Sequence, residues 1–104
     1  MKVILGTRQV GKTTQLARMV KEDPKGILIV HNYTDKGRVI KLYDLPENKV
    51  STYVDFKSSK IEGANPANIY IDNAEWLLKG LCGRHDLKGV AFGIESADDI
   101  NKNN

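Results

Sequence analysis

The sequence predicts an α/β fold with five short strands in a mostly parallel sheet. Apolar runs of strand length alternate with stretches of helical spacing along the 104 residues, the signature of strand–helix–strand units. Gly26-Ile27-Leu28-Ile29-Val30 is a continuous apolar run, the pattern of a strand covered on both faces. A glycine-containing loop over residues 6–13 joins one apolar run to an amphipathic stretch.

Val3-Ile4-Leu5 reads as a buried first strand. After the loop, Leu16, Ala17 and Val20 predict a helix from Thr13 to about Glu22, with Pro24 just beyond its end. The run over 26–30 is the second strand. Val39, Ile40 and Tyr43 share one side of a helix from about Asp35 to Leu45, closed by Pro46. Val50, Thr52, Val54 and Phe56 alternate with Ser51, Tyr53 and Asp55, which predicts a half-exposed strand at a sheet edge. Asn68 to Asp72 is a short apolar strand. Ala74, Leu77, Leu78 and Leu81 follow at the i, i+3, i+4, i+7 spacing of a helix ending near Gly80 or Gly83. Lys88 to Glu95 (KGVAFGIE) supplies the fifth strand. The domain expected spans residues 1–97, with 98–104 as a polar C-terminal tail.

Two cores would leave roughly 50 residues each, near the limit for independent folding, so one is expected. The single cysteine excludes an intramolecular disulfide framework and suits a reducing cytoplasm. Apolar runs of four or five residues are far short of a membrane span, and Met1-Lys2 leads straight into a strand rather than a secretory signal. Charge is uneven: residues 1–60 carry 12 Lys/Arg against 6 Asp/Glu, residues 61–104 carry 4 against 7, and the whole is +3. A +6 half suits a phosphate-bearing partner, although solvated surface lysine gives the same count.

Residues 6–13 read GTRQVGKT and fit G-x-x-x-x-G-K-[ST] at every fixed position. Gly6 and Gly11 let the backbone turn so that amide N–H groups converge on an anion. Lys12 brings a cation to the β- and γ-phosphate oxygens, Thr13 offers a hydroxyl to Mg²⁺, and the following helix adds its dipole. Thr7, Arg8, Gln9, Val10 and Thr14 complete the stretch expected to contact a nucleoside triphosphate. A chance match arises in on the order of 0.4% of random chains of this length, and here the required strand and helix flank it.

Asp72 ends the apolar strand over 68–72, where a carboxylate can hold Mg²⁺ through water. The same position also suits a helix N-cap. Glu75, in the string DNAE over 72–75, has two readings: it polarises an attacking water, or it completes a capping box with Asp72.

These residues resemble the P-loop NTPases, specifically the RecA-like division, over about residues 2–96. RQVGKTT (8–14) with IYIDNAE (69–75) is most similar to the ATPase cores of phage large terminases and helicases, and GTRQVGKTT also resembles a group of prokaryotic AAA-type ATPases. The resemblance implies a three-layer P-loop NTPase core with strand order 1-5-4-2-3, and ATP (or another NTP) with Mg²⁺ as ligands. It places the Walker A pair at Lys12 and Thr13, the Walker B aspartate at Asp72, and an arginine finger at Arg8. Ser96 falls where a sensor residue would follow the fifth strand. Asn73 stands where these families usually put the catalytic glutamate, so either Glu75 substitutes or hydrolysis is slow. The implied order leaves the first strand at an open edge, which invites a homo-oligomer or a larger protein partner.

The function expected is a Mg²⁺-dependent ATPase in a DNA-related process (replication, packaging or recombination) of phage or prophage origin, with Lys12, Arg8 and Glu75 as the catalytic set. DNA as a partner rests on the resemblance together with the +6 half. One alternative is a nucleotide-dependent switch or assembly module with little hydrolysis. Another is a kinase, since the order of loop, strand and DNAE also resembles zinc-containing thymidine kinases. Those carry a cysteine-bearing lasso, and this chain has Cys82 alone. Cys82 and His85 read as a structural helix cysteine and a surface histidine rather than zinc ligands. Trp76 reads first as a core or interface residue and second as a base-stacking platform. His31 and Tyr33 follow the second strand, where helicase-like folds contact single strands.

Overall fold

The computed structural model describes residues 1–5, 10–58 and 67–102. Along the chain these form strand β1 (Val3–Leu5), helix α1 (Val10–Glu22), β2 (Gly26–Val30), α2 (Tyr33–Tyr43), a 3₁₀ turn (Glu47–Lys49), β3 (Val50–Thr52), α3 (Tyr53–Ser58), β4 (Asn68–Ile71), α4 (Ala74–Cys82), a second 3₁₀ turn (Ala97–Asp99) and β5 (Ile100–Lys102). The α/β class is as expected.

β2 is the centre of a parallel three-stranded sheet, in the order β3-β2-β4. Leu28 lies level with Val50 and Tyr70, and Ile29 with Ser51 and Ile71. Because side chains alternate along a strand, Leu28, Val30 and Val50 share a face. They meet Ala17 and Val20 of α1, Val39 of α2 and Leu45, none more than 4% exposed. Leu16, Ile40, Tyr43 and Tyr70 pack around this cluster. Alternation sends Ile69 and Ile71 to the opposite face, where each is 40% exposed.

The lower end of the sheet is tied by Asp23. Its carboxylate accepts from the Lys25 N–H, the Asn68 amide at 2.9 Å and the Tyr70 hydroxyl at 2.7 Å. The Lys49 ammonium donates to the Val20 and Asp23 carbonyls. These bonds clamp the α1–β2 turn to the starts of β3 and β4. The turn is tight: a side chain at Gly26 would meet the Val20 carbonyl oxygen at 3.1 Å.

Several elements depart from expectation. The strand expected through Phe56 stops at Thr52, whose buried hydroxyl oxygen accepts the Asp55 N–H at 3.1 Å and so caps α3. α2 begins at Tyr33 because the Asn32 side chain accepts from the Asp35 N–H at 2.8 Å. Lys88 to Glu95 forms no strand: Gly89 and Gly93 offer nothing to pack, and Val90 and Phe92 are 55% and 51% exposed. β5 comes instead from the segment expected as a polar tail, and it pairs in parallel with β1. Lys2 Nζ donates to the Asp98 carbonyl at 2.8 Å, fastening that pair. The single sheet in order 1-5-4-2-3 is therefore not formed among the described residues. β1-β5 stands as a separate pair, and the 4-2-3 neighbours are retained. No helix among the described residues is long and apolar enough to cross a membrane.

Candidate functional site

The helix expected from Thr13 starts three residues earlier, at Val10, so the second half of the glycine loop is already helical. Gly11, Lys12 and Thr13 thus lie in the first turn of α1. First-turn amides have no carbonyl partner within a helix, and the positive end of the dipole sits there, a setting that favours an anion. Gly6, Thr7, Arg8 and Gln9 lie outside the described residues, as does the Val10 side chain.

β4 is the strand that brings the second motif to this turn. Paired to β2, it carries Asp72 just past its C-terminal end, where the Asp72 N–H donates to the Ile29 carbonyl at 3.0 Å. Thr13 Oγ1 donates to Asp72 Oδ2 at 3.0 Å, across 59 residues of chain. Asp72 is 7% exposed. Burial raises its carboxyl above the ordinary 3.8; the Thr13 hydroxyl, the Arg38 charge and the Asn73 N–H oppose that rise, and the Glu75 charge adds to it. Asp72 therefore spends its carboxylate on Thr13, and the N-cap position of α4 falls to Asn73.

Thr13 Oγ1 and Asp72 Oδ2 are adjacent hard oxygens. Mg²⁺ suits such a set, since it binds through one or two protein oxygens, keeps several waters and shares the rest with phosphate. A cation there would also favour the ionised form that burial penalises. No group of three or more His, Cys, Asp or Glu able to hold a metal occurs among the described residues. Cys82 and His85 are joined only as neighbours in a turn, by the His85 N–H to the Cys82 carbonyl at 3.1 Å.

No family model, curated protein or solved structure matches the chain.

The remaining expected residues fall in different places. Thr14 turns its hydroxyl to Tyr43 Oη at 3.0 Å and braces α1 against α2. Glu75 is exposed in the first turn of α4, within electrostatic reach of Asp72. Asn73 adopts a left-handed backbone (φ 55°), and its side chain makes no capping bond. Ser96 belongs to a turn rather than a strand end: its N–H and that of Glu95 donate to Asp99 Oδ2.

Two features were not read from the sequence. Arg38 of α2 brings its charge to bear on Asp72 while its guanidinium lies 3.5 Å from Asp35. Helical spacing places Val39 and Ile40 inward, but nothing in it shows that the adjacent residue's charge acts on another element's carboxylate. The second feature is the packing of His31 on Trp76, with ring centroids 5.1 Å apart and 26° between planes. Trp76 is 50% exposed, which removes it from the core.

Proposed function

We propose that the protein binds a nucleoside triphosphate with Mg²⁺, ATP in the first place, at residues 6–14 and hydrolyses it. The observation that carries this reading is the Thr13–Asp72 hydrogen bond, which joins a phosphate-loop motif to a strand-end aspartate far away in sequence. Spacing along the chain does not require that meeting, yet Mg²⁺ chemistry at a phosphate loop needs it.

Thr13 and Asp72 would hold Mg²⁺, which supplies charge neutralisation at the phosphate oxygens. Lys12 and the first-turn amides of α1 would hold the β- and γ-phosphates, with Arg8 as the loop's second cation. Water then attacks the γ-phosphorus. The new P–O bond forms as the bond to the β-phosphate oxygen breaks, Glu75 takes the water proton, and nucleoside diphosphate and inorganic phosphate leave. Kinship with the RecA-like P-loop NTPases, a DNA-related setting and assembly with other copies belong to the same proposal.

A nucleotide-dependent switch is the second reading, favoured by Asn73 at the usual glutamate position and by the exposure of Glu75. Phosphate release measured with and without single- and double-stranded DNA separates the two. Turnover that Lys12→Ala abolishes and Glu75→Gln reduces at least tenfold supports hydrolysis. Binding without turnover in any condition overturns it in favour of the switch.

A further inference from the structure

The C-terminal ends of β2 and β4 carry a second assembly that the phosphate site does not use. His31 directly follows β2, and Trp76 lies in the first turn of α4, just beyond β4. Their rings stack, and Lys79 Nζ stands 5.3 Å from the Trp76 centroid. All three side chains are exposed. A large indole left half in solvent, with its plane fixed by a second ring, is a rigid aromatic surface rather than a loose one. In open α/β sheets this C-terminal rim is where ligands bind.

A cavity of about 160 Å³ opens beside the stack, lined by Ile29 and Ile71 on the sheet, Trp76 and Leu77 on the helix, together with Asp72 and Asn73. It has room for roughly five waters at about 30 Å³ each. That suits one heterocycle and is well below the roughly 300–1,000 Å³ of a site enclosing a drug-sized ligand. Its walls are apolar and aromatic, its lining includes a carboxylate and an amide, and a cation stands over the Trp76 ring that lines it. Those are the groups that a flat heteroaromatic ring with polar edges and a nearby phosphate would meet.

We propose that Trp76, His31 and Lys79 form a stacking platform for an unpaired nucleobase, with Asn73 facing its hydrogen-bonding edge. The base comes either from a free nucleoside or from a single strand, and both present the same chemistry. The platform adjoins the phosphate site at Asp72, but Trp76, His31 and Lys79 take no part in holding phosphate, so base binding does not require a nucleoside triphosphate.

Trp76 is the sole tryptophan, so its fluorescence reports directly on the platform. The probes are thymidine, a twelve-residue oligo(dT), and an abasic twelve-mer with the same phosphates, each without nucleoside triphosphate. Saturable quenching by a base-bearing probe and none by the abasic strand is the expected result. Quenching by thymidine as tight as by oligo(dT) assigns a free nucleoside; quenching by the oligomer alone assigns a single strand. By anisotropy of labelled oligo(dT), or by competition for thymidine, Trp76→Ala should weaken binding about 5- to 150-fold. Trp76→Phe, which keeps a ring, should recover part of it. Lys12→Ala should leave quenching unchanged, which separates this site from the phosphate loop. Equal quenching by the abasic strand, no quenching by any probe, or unaltered affinity of Trp76→Ala with a retained circular dichroism spectrum overturns the proposal.

Discussion

Replacing Asp72 by asparagine tests whether a buried carboxylate is kept for a cation. The substituted amide would keep the shape and an acceptor oxygen for the Thr13 hydroxyl, and would remove the charge that burial penalises. Because the folded-state value is raised, the ionised carboxylate costs stability above that value, and the cost vanishes as pH falls through it. Asp72→Asn should therefore be at least as stable as wild type at pH 7 without metal, and the two should converge in acid. With Mg²⁺ and nucleotide at about 100 times Kd, wild type should gain about 2.7 kcal/mol. At about 4–8 °C per kcal/mol for a domain of this size, that is a rise in Tm of about 11–22 °C. Tenfold weaker binding in the variant would cut its gain to about 1.4 kcal/mol. Thermal unfolding followed by circular dichroism from pH 3 to 8, with and without Mg²⁺ and ATP, reads both effects. A variant less stable than wild type at pH 7 without metal, or one that gains equally from Mg²⁺ and ATP, would refute the reasoning.

Other positions test the framework. The Tyr70 hydroxyl, the Asn68 amide and the Lys25 N–H hold the Asp23 carboxyl below 3.8. Its contribution is therefore present above 3.8 and lost as pH falls through the lower folded-state value, so Tm curves of Asp23→Asn and wild type should differ at neutral pH and close in strong acid. Leu28→Ala, at a site with no exposure, should cost about 2–5 kcal/mol in urea unfolding. Thr52→Ala removes the cap of α3 and should cost about 0.5–2 kcal/mol, with Thr52→Ser restoring most of it.

The sequence made the centre of the fold legible and its margins much less so. Periodicity marks α1, α2 and β2 because each buries a defined face, and burial is what hydrophobic spacing records; α4 and β4 carry the same spacing although neither holds a fully buried residue. Alternation of Val50, Thr52, Val54 and Phe56 suggests a longer β3 than forms, because the Thr52 hydroxyl takes the Asp55 N–H and starts α3 instead. β5 left no apolar trace: Ile100-Asn101-Lys102 is joined to β1 through backbone pairing, which side-chain patterning does not encode. At the site, motif spacing indicated Thr13 and Asp72 as partners and their hydroxyl–carboxylate contact is observed. Arg38 and the His31–Trp76 stack arise from how helices lie against strand ends, a tertiary relation with no local signal.

The central claim is that residues 6–14 and Asp72 hold the phosphates of a nucleoside triphosphate with Mg²⁺. Calorimetric titration of ATP into the protein, with Mg²⁺ and then with a chelator, tests it most directly beside Lys12→Ala. The account predicts one saturable site in wild type, weakened at least tenfold by the chelator and by Lys12→Ala. Equal heats for wild type and Lys12→Ala, or no binding with Mg²⁺ present, would contradict it.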